Sequence, residues 1–170
     1  YDYMPPKQYD VYDPGYVGKV DGRNVARNPN IFVPDPQDNA IPPNPEKVKQ
    51  MCSERDVEHI LALYDGEMSW TDYQVGRLIS KLRDTGQLDK TLIIVTSDHG
   101  DEFFENSSIG HRTSLYEEVI RIPMIMRFPP RLPKGKRVNG LASLVDIFPT
   151  IFHVLDRPMH VPVSSTSLLD

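Results

Sequence analysis

The chain has 170 residues, of which 39% are hydrophobic, 25% charged and 9% aromatic, a composition that excludes collagen-like, fibrous and fully disordered classes. Nineteen Lys and Arg stand against 24 Asp and Glu, a formal net charge of −5, which excludes a broadly basic surface for nucleic acid. Cys52 is the single cysteine, so no internal disulfide and no Cys-rich zinc site is available, and no apolar run approaches the roughly 18 residues of a membrane span.

The chain opens on Tyr1 without a signal-peptide pattern, and the expectation is a processed start or an excerpt of something longer. Nine of the 16 prolines fall in the first 45 residues. Each fixes φ and removes a backbone donor, so regular helix or central strand is excluded there. Tyr1, Tyr3, Tyr9, Tyr12 and Tyr16 argue against simple disorder. The expected organisation is therefore an irregular, proline-rich arm over 1–45, packed on a surface, followed by an α/β segment over 46–170.

From about Glu46 the pattern changes. Val57, Ile60, Leu61, Tyr64, Met68, Val75, Leu78, Ile79 and Leu82 fall at helical spacing, which predicts one long amphipathic helix, with a break near Gly66 allowed. Pro45 and Gly86 supply start and stop signals. Thr91 to Thr96 is an almost uninterrupted apolar, β-branched run suited to a strand buried on both faces, as in a parallel sheet. Ile122 to Met126 predicts a second strand and Leu144 to Leu155 another amphipathic helix. This alternation is an α/β pattern.

In open α/β sheets, functional groups gather at the carboxyl ends of strands. The first strand runs directly into Ser97-Asp98-His99-Gly100, with a glycine that permits a tight turn. Asp98 and His99 supply an oxygen and a nitrogen ligand suited to Mg²⁺, Mn²⁺, Ca²⁺ or Zn²⁺. The competing reading makes Asp98 a turn cap and His99 an ordinary loop residue. Gly110-His111-Arg112 opens a short helix expected over Thr113 to Val119, where the positive dipole end favours an anion. His111 is suited to contact an anionic substrate or protonate a leaving group; the alternative is an exposed turn histidine. Asp101, Glu102 and Glu105 read as a solvated acidic loop, His59 and His153 as helix-surface or core residues, and Lys134 to Arg137 as a solvated basic turn.

These pieces, in this order, resemble the sulfatases of the alkaline phosphatase superfamily. The resemblance runs through Thr91 to Gly100, Gly110-His111, Leu115-Tyr116-Glu117-Glu118, Arg121 to Ile125, Leu144 to Thr150 and Ser167-Leu168-Leu169. Tyr64, Asp72, Gly76, Leu78 and Leu82 are similar to the family's long helix ahead of that strand, and Tyr12-Asp13-Pro14 and Gly18 to Gly22 look like bacterial sulfatase segments.

The resemblance implies a partial alkaline-phosphatase-like sheet with flanking helices, and part of a metal-dependent hydrolase of sulfate esters. A formylglycine, made from Cys or Ser in a C/S-x-P-x-R motif, attacks sulfur in that family. A divalent cation, Ca²⁺ above all with Mg²⁺, Mn²⁺ or Zn²⁺ as alternatives, polarises the sulfate oxygens. By position, Asp98 and His99 match metal ligands, and His111 stands where relatives contact substrate. Cys52-Ser53-Glu54-Arg55 is not the nucleophile motif, and Cys52 reads as a small buried hydrophobe. The nucleophile and the first metal-binding Asp pair are expected upstream, in the remaining half of the catalytic domain, and the isolated 170 residues are expected to be inactive. The implied partner is a small-molecule or carbohydrate sulfate ester, in a periplasmic or secreted setting. A phosphoester or phosphonate hydrolase or phosphotransferase on the same scaffold, and a non-catalytic metal- or partner-binding domain, are the competing functions.

Overall fold

A computed structural model of the chain describes residues 2–23, 25, 52–106, 109–111 and 114–169. Its contacts divide into two units, Tyr1–Leu88 with His99–Pro123, and Asp89–Asp98 with Met124–Asp170.

The first unit is organised by helix α1, Glu54–Asp84, 31 residues long. Its start is written in the sequence as a capping box: the Ser53 hydroxyl accepts from the Asp56 N–H, and the Asp56 carboxylate accepts from the Ser53 N–H. A cap of this kind is worth about 1 kcal/mol. Glu54 and Asp56 in the first turn and Lys81 and Arg83 in the last oppose the helix dipole. Gly86 follows the Thr85 cap at φ +66°, as its stop signal predicts. The Glu46 and Pro45 part of the predicted helix lies outside the described residues.

Contrary to the allowance for a break, α1 runs through Gly66 without interruption. The glycine has another purpose. A Cβ at Gly66 would stand 2.6 Å from the Tyr9 carbonyl oxygen and 2.8 Å from the Pro5 ring, so its absence lets the N-terminal segment lie directly on the helix. Residues 2–23 contain no helix or strand, and side chains hold them in place. Arg55 and His59 both bind the Asp13 carboxylate, His59 through Nδ1 at 3.0 Å. The Arg55 guanidinium holds that carboxyl below its ordinary value. The Tyr16 ring stacks on His59 at 3.7 Å between centroids, and its hydroxyl donates to Asp56. Tyr3, Val20 and Val25 join Cys52, Ile60, Leu63 and Ile109 in one buried cluster, with Tyr64 and Phe103 packed against it. Full burial of Ile60 or Leu63 contributes about 1.5–3 kcal/mol each.

The rest of this unit is short. Strands β2 (Glu102–Phe103) and β3 (Ile109–Gly110) pair antiparallel, with Glu102 opposite Gly110 and Phe103 opposite Ile109. Helix α2 covers only Glu117–Ile120. The longer helix expected from Thr113 is corrected: Ser114 gives its hydroxyl to Glu102 at 2.7 Å, and helical structure begins only after Tyr116.

In the second unit, β1 (Ile93–Thr96) pairs antiparallel with β4 (Met124–Arg127), Ile93 opposite Arg127 and Thr96 opposite Met124. The parallel, doubly buried reading of the first strand is thus corrected, since Val95 and Ile125 are 39% and 63% exposed. An unbroken apolar run reports potential for burial on both faces but not the direction of its partner. Pro123 stands just before β4, where its missing N–H costs no ladder bond. The predicted last helix is two elements, a 3-10 turn at Leu144–Asp146 and helix α3 at Ile147–Val154. Pro149 is tolerated in the first turn of α3. The buried Thr150 hydroxyl donates to the Asp146 carbonyl at 2.6 Å and accepts from the Leu168 N–H at 2.8 Å, tying the tail to α3.

Two glycines of α1 separate packing from propensity. Gly66→Ala is expected to lose about 1–3 kcal/mol by overpacking, whereas Gly76→Ala, with nothing within 4 Å of the new methyl group, is expected to gain up to about 1 kcal/mol; urea denaturation of the two variants checks the opposite signs. Burial pushes the Cys52 thiol up to about 11. At pH 8 about a thousandth of it is thiolate, so alkylation by iodoacetamide should be slow in the native protein and accelerate on denaturation.

Candidate functional site

The register of the β2–β3 pair builds the site. With Glu102 opposite Gly110 and Phe103 opposite Ile109, the next residues outward are Asp101 and His111. Residues opposite each other on antiparallel strands bring their side chains within reach, and His111 Nδ1 lies 2.6 Å from Asp101 Oδ1. The second carboxylate oxygen, Oδ2, accepts from the Tyr3 hydroxyl at 3.0 Å. Tyr3 is itself buried, edge-on to Tyr64 and against Phe103 at 5.8 Å from each. Burial, together with the nearby Asp101 and Asp65 carboxylates, pushes the Tyr64 phenol up.

His99 completes a cluster. Its ring lies 3.4 Å from that of His111, centroid to centroid, and ligand atoms of His99, Asp101 and His111 all fall within 4.8 Å of one another. Gly100 allows this for a reason other than the tight turn expected of it. Its N–H donates to the Val119 carbonyl at 2.8 Å, and a Cβ there would stand 2.0 Å from the Glu118 carbonyl oxygen. Only glycine admits the 118–119 backbone so close to the site.

The tautomers follow from the acceptors. A carboxylate and a carbonyl oxygen only accept, so His111 Nδ1–H donates to Asp101, and His99 Nδ1–H donates to the Gly100 carbonyl at 2.9 Å. Each neutral ring therefore carries its lone pair on Nε2. A histidine whose other nitrogen is tied to a backbone carbonyl is the usual form of a metal-ligating imidazole. Two imidazoles and a carboxylate, half-buried and converging, are a donor set that fits a divalent cation.

Below the cluster, Glu102 is fully buried. It accepts from Ser114 at 2.7 Å and from Asn106 at 3.4 Å, and Asn106 also reaches Glu118 at 3.3 Å. A buried carboxylate is costly unless hydrogen-bonded, and these donors join the Asn106 and Ser114 segments on either side of β3.

Of the predicted residues, the structure brings His99 and His111 together. Asp98 is exposed at the end of the β1 segment, in the second unit. His111 does not open a helix, because α2 begins six residues later, and its partner is the Asp101 carboxylate rather than a helix dipole. The solvated-loop reading is corrected for Asp101 and Glu102, one half-buried and one fully buried, while Glu105 is exposed. The missed signal was the spacing: two short β-prone pieces around Phe103 and Ile109 make a hairpin whose rim residues are Asp101 and His111. His59 is buried in the core, His153 is half-buried with Nδ1 2.9 Å from Ser167 Oγ, and 134–137 is exposed.

The sulfatase family model matches residues 23–157. Arylsulfatase K of Bos taurus is 33% identical over 117 residues, covering 69% of this chain and 21% of the relative; that of Danio rerio is 33% identical over 126 residues, covering 72% and 24%. The chain thus spans about a fifth of the length of these relatives. Among solved structures, the phosphonate monoester hydrolase of Silicibacter pomeroyi aligns with a TM-score of 0.64 at 30% identity, over 69% of this chain and 23% of that one. A structure of BT4656 in complex with its substrate D-glucosamine-2-N,6-O-disulfate shares the fold, with a TM-score of 0.63 at 23% identity, over 72% of this chain and 26% of that one. On the family match and on the motif series from the first strand to the tail, the chain belongs to the sulfatase family.

Proposed function

We propose that this chain carries part of the metal and substrate site of a metal-dependent enzyme that hydrolyses sulfate esters. The observation that carries the reading is the convergence of His99, Asp101 and His111 in a chain of this family. Asp98 and His99 are the proposed metal ligands from these residues, His99 through Nε2. The cation, Ca²⁺ in this reading, would withdraw charge from the sulfate oxygens. The nucleophile, a formylglycine in this reading, would come from sequence outside these 170 residues, together with the other half of the catalytic domain.

His111 is the proposed catalytic residue. Held at Nδ1 by Asp101, it faces chemistry through Nε2. The protonated ring would stabilise sulfate charge and pass its Nε2 proton to the departing ester oxygen, which leaves as an alcohol. Half-burial of the cluster excludes part of the surrounding water and strengthens these interactions. The substrate class is a small-molecule or carbohydrate sulfate ester, and the family resemblance favours action outside the cytoplasm.

A second reading, phosphonate or phosphate ester hydrolysis, is favoured by the 30% identity to the phosphonate monoester hydrolase. The two separate in one experiment on the full-length enzyme. With Ca²⁺ present, an aryl sulfate should turn over faster than the matched phenyl phosphonate monoester. His111→Ala should lower kcat by about 10²–10⁴-fold, and Asp98→Ala should lower both bound calcium and activity. Efficient phosphonate cleavage without sulfate cleavage would sink the first reading in favour of the second.

A further inference from the structure

The Asp101 carboxylate is engaged on both oxygens. Oδ1 accepts from His111 Nδ1–H at 2.6 Å and Oδ2 from the Tyr3 hydroxyl at 3.0 Å. The Asp101 side chain is 12% exposed and that of His111 22%, so water competes weakly for either bond. Tyr3 is 4% exposed and packed edge-on to Tyr64 and against Phe103, which leaves its hydroxyl little freedom. From core to rim the order is an aromatic anchor, a carboxylate and an imidazole. An imidazole ordered by a carboxylate through Nδ1 has one tautomer and one ring orientation.

We infer that Asp101, anchored by Tyr3, is a positioning residue that fixes His111 in its Nδ1–H tautomer and so makes Nε2 its reactive atom. This rests on the reading of His111 as the substrate-side residue and gives it a mechanism of alignment. It also sorts the cluster into two functions. His99, tied at Nδ1 to a backbone carbonyl, is oriented as a ligand. Asp101 and His111 are oriented toward each other through the Nδ1–H···Oδ1 bond. The N-terminal segment thereby contributes to the site, although Tyr3 lies 98 residues from Asp101.

The test uses the full-length enzyme labelled with ¹⁵N-histidine, first stripped of metal with EDTA and then loaded with calcium. His111→Gln identifies the His111 resonances by their disappearance. At a pH where the ring is neutral, His111 should show the Nδ1–H tautomer in both states, and Asp101→Ala should abolish that preference. In steady state with aryl sulfates, Asp101→Ala should lower kcat by about 10²-fold with KM changed less than about threefold, most severely for poor leaving groups, and added formate should restore part of the rate. Asp101→Ala combined with His111→Ala should be no slower than His111→Ala alone. Tyr3→Phe, which keeps the ring and its packing, should cost about tenfold in kcat and is the variant to rely on if Asp101→Ala does not fold. An Nε2–H tautomer in the wild type, or calcium-induced shifts marking His111 as a ligand, would overturn the assignment. So would additive losses in the double variant. Absence of sulfate turnover in the wild type would instead refute the functional reading, and the tautomer measurement would still decide the positioning on its own.

Discussion

A chain segment without repeating backbone hydrogen bonds has to be held by its side chains, and that requirement governs the first unit. Residues 2–23 form no helix or strand, so each turn is fixed by an anchor on α1 or beside it. Asp13 sits between Arg55 and His59, Tyr16 lies flat on His59, and Tyr3 enters the core beside Tyr64. The helix also offers a surface without a side chain at Gly66, where the Tyr9 carbonyl and the Pro5 ring settle. A glycine that weakens the helix as an isolated element strengthens it as a platform, because tertiary contact outweighs propensity.

The site inherits its order from this packing. The β2–β3 pair is only two residues long on each side, too short to be stable alone. It is held from one side by the buried Glu102 with Ser114 and Asn106, and from the other by Phe103 and Ile109 in the core. With the hairpin fixed, Asp101 and His111 have no register but the one that sets them face to face. Electrostatics then completes what geometry begins, since the Asp101 carboxylate takes two donors and the Gly100 carbonyl a third, which leaves each ring in a defined tautomer.

Much of this was legible in the amino-acid order, and the failures have physical causes. The α1 periodicity, its stop signal and the strand leading to Asp98 and His99 were plain, because long periodic elements carry redundant signals. His111 was found as a candidate, but on a helix-dipole argument that the four-residue α2 does not support. Asp101 and Glu102 were misread because charge in a loop ordinarily means solvent. Their burial depends on partners 98 residues away for Asp101 and 12 residues away for Glu102, which no local pattern encodes. The antiparallel pairing of β1 with β4 was missed for the same reason: an apolar run specifies a buried face, whereas strand direction is set by the connection. Gly100 was located correctly and explained wrongly, since its neighbour in space is the Glu118 carbonyl.

The Tyr3–Asp101 hydrogen bond also bears on how the molecule reaches its native state. Joining residues 98 positions apart carries a loop-closure cost of about 4 kcal/mol for a flexible chain, which one hydrogen bond does not offset. The contact therefore draws on α1 and on the core around Ile60 and Leu63, which hold the two ends near each other. The alignment of His111 therefore presupposes an N-terminal segment already docked on α1. A single buried phenol thus ties the order of the rim to the completion of the core.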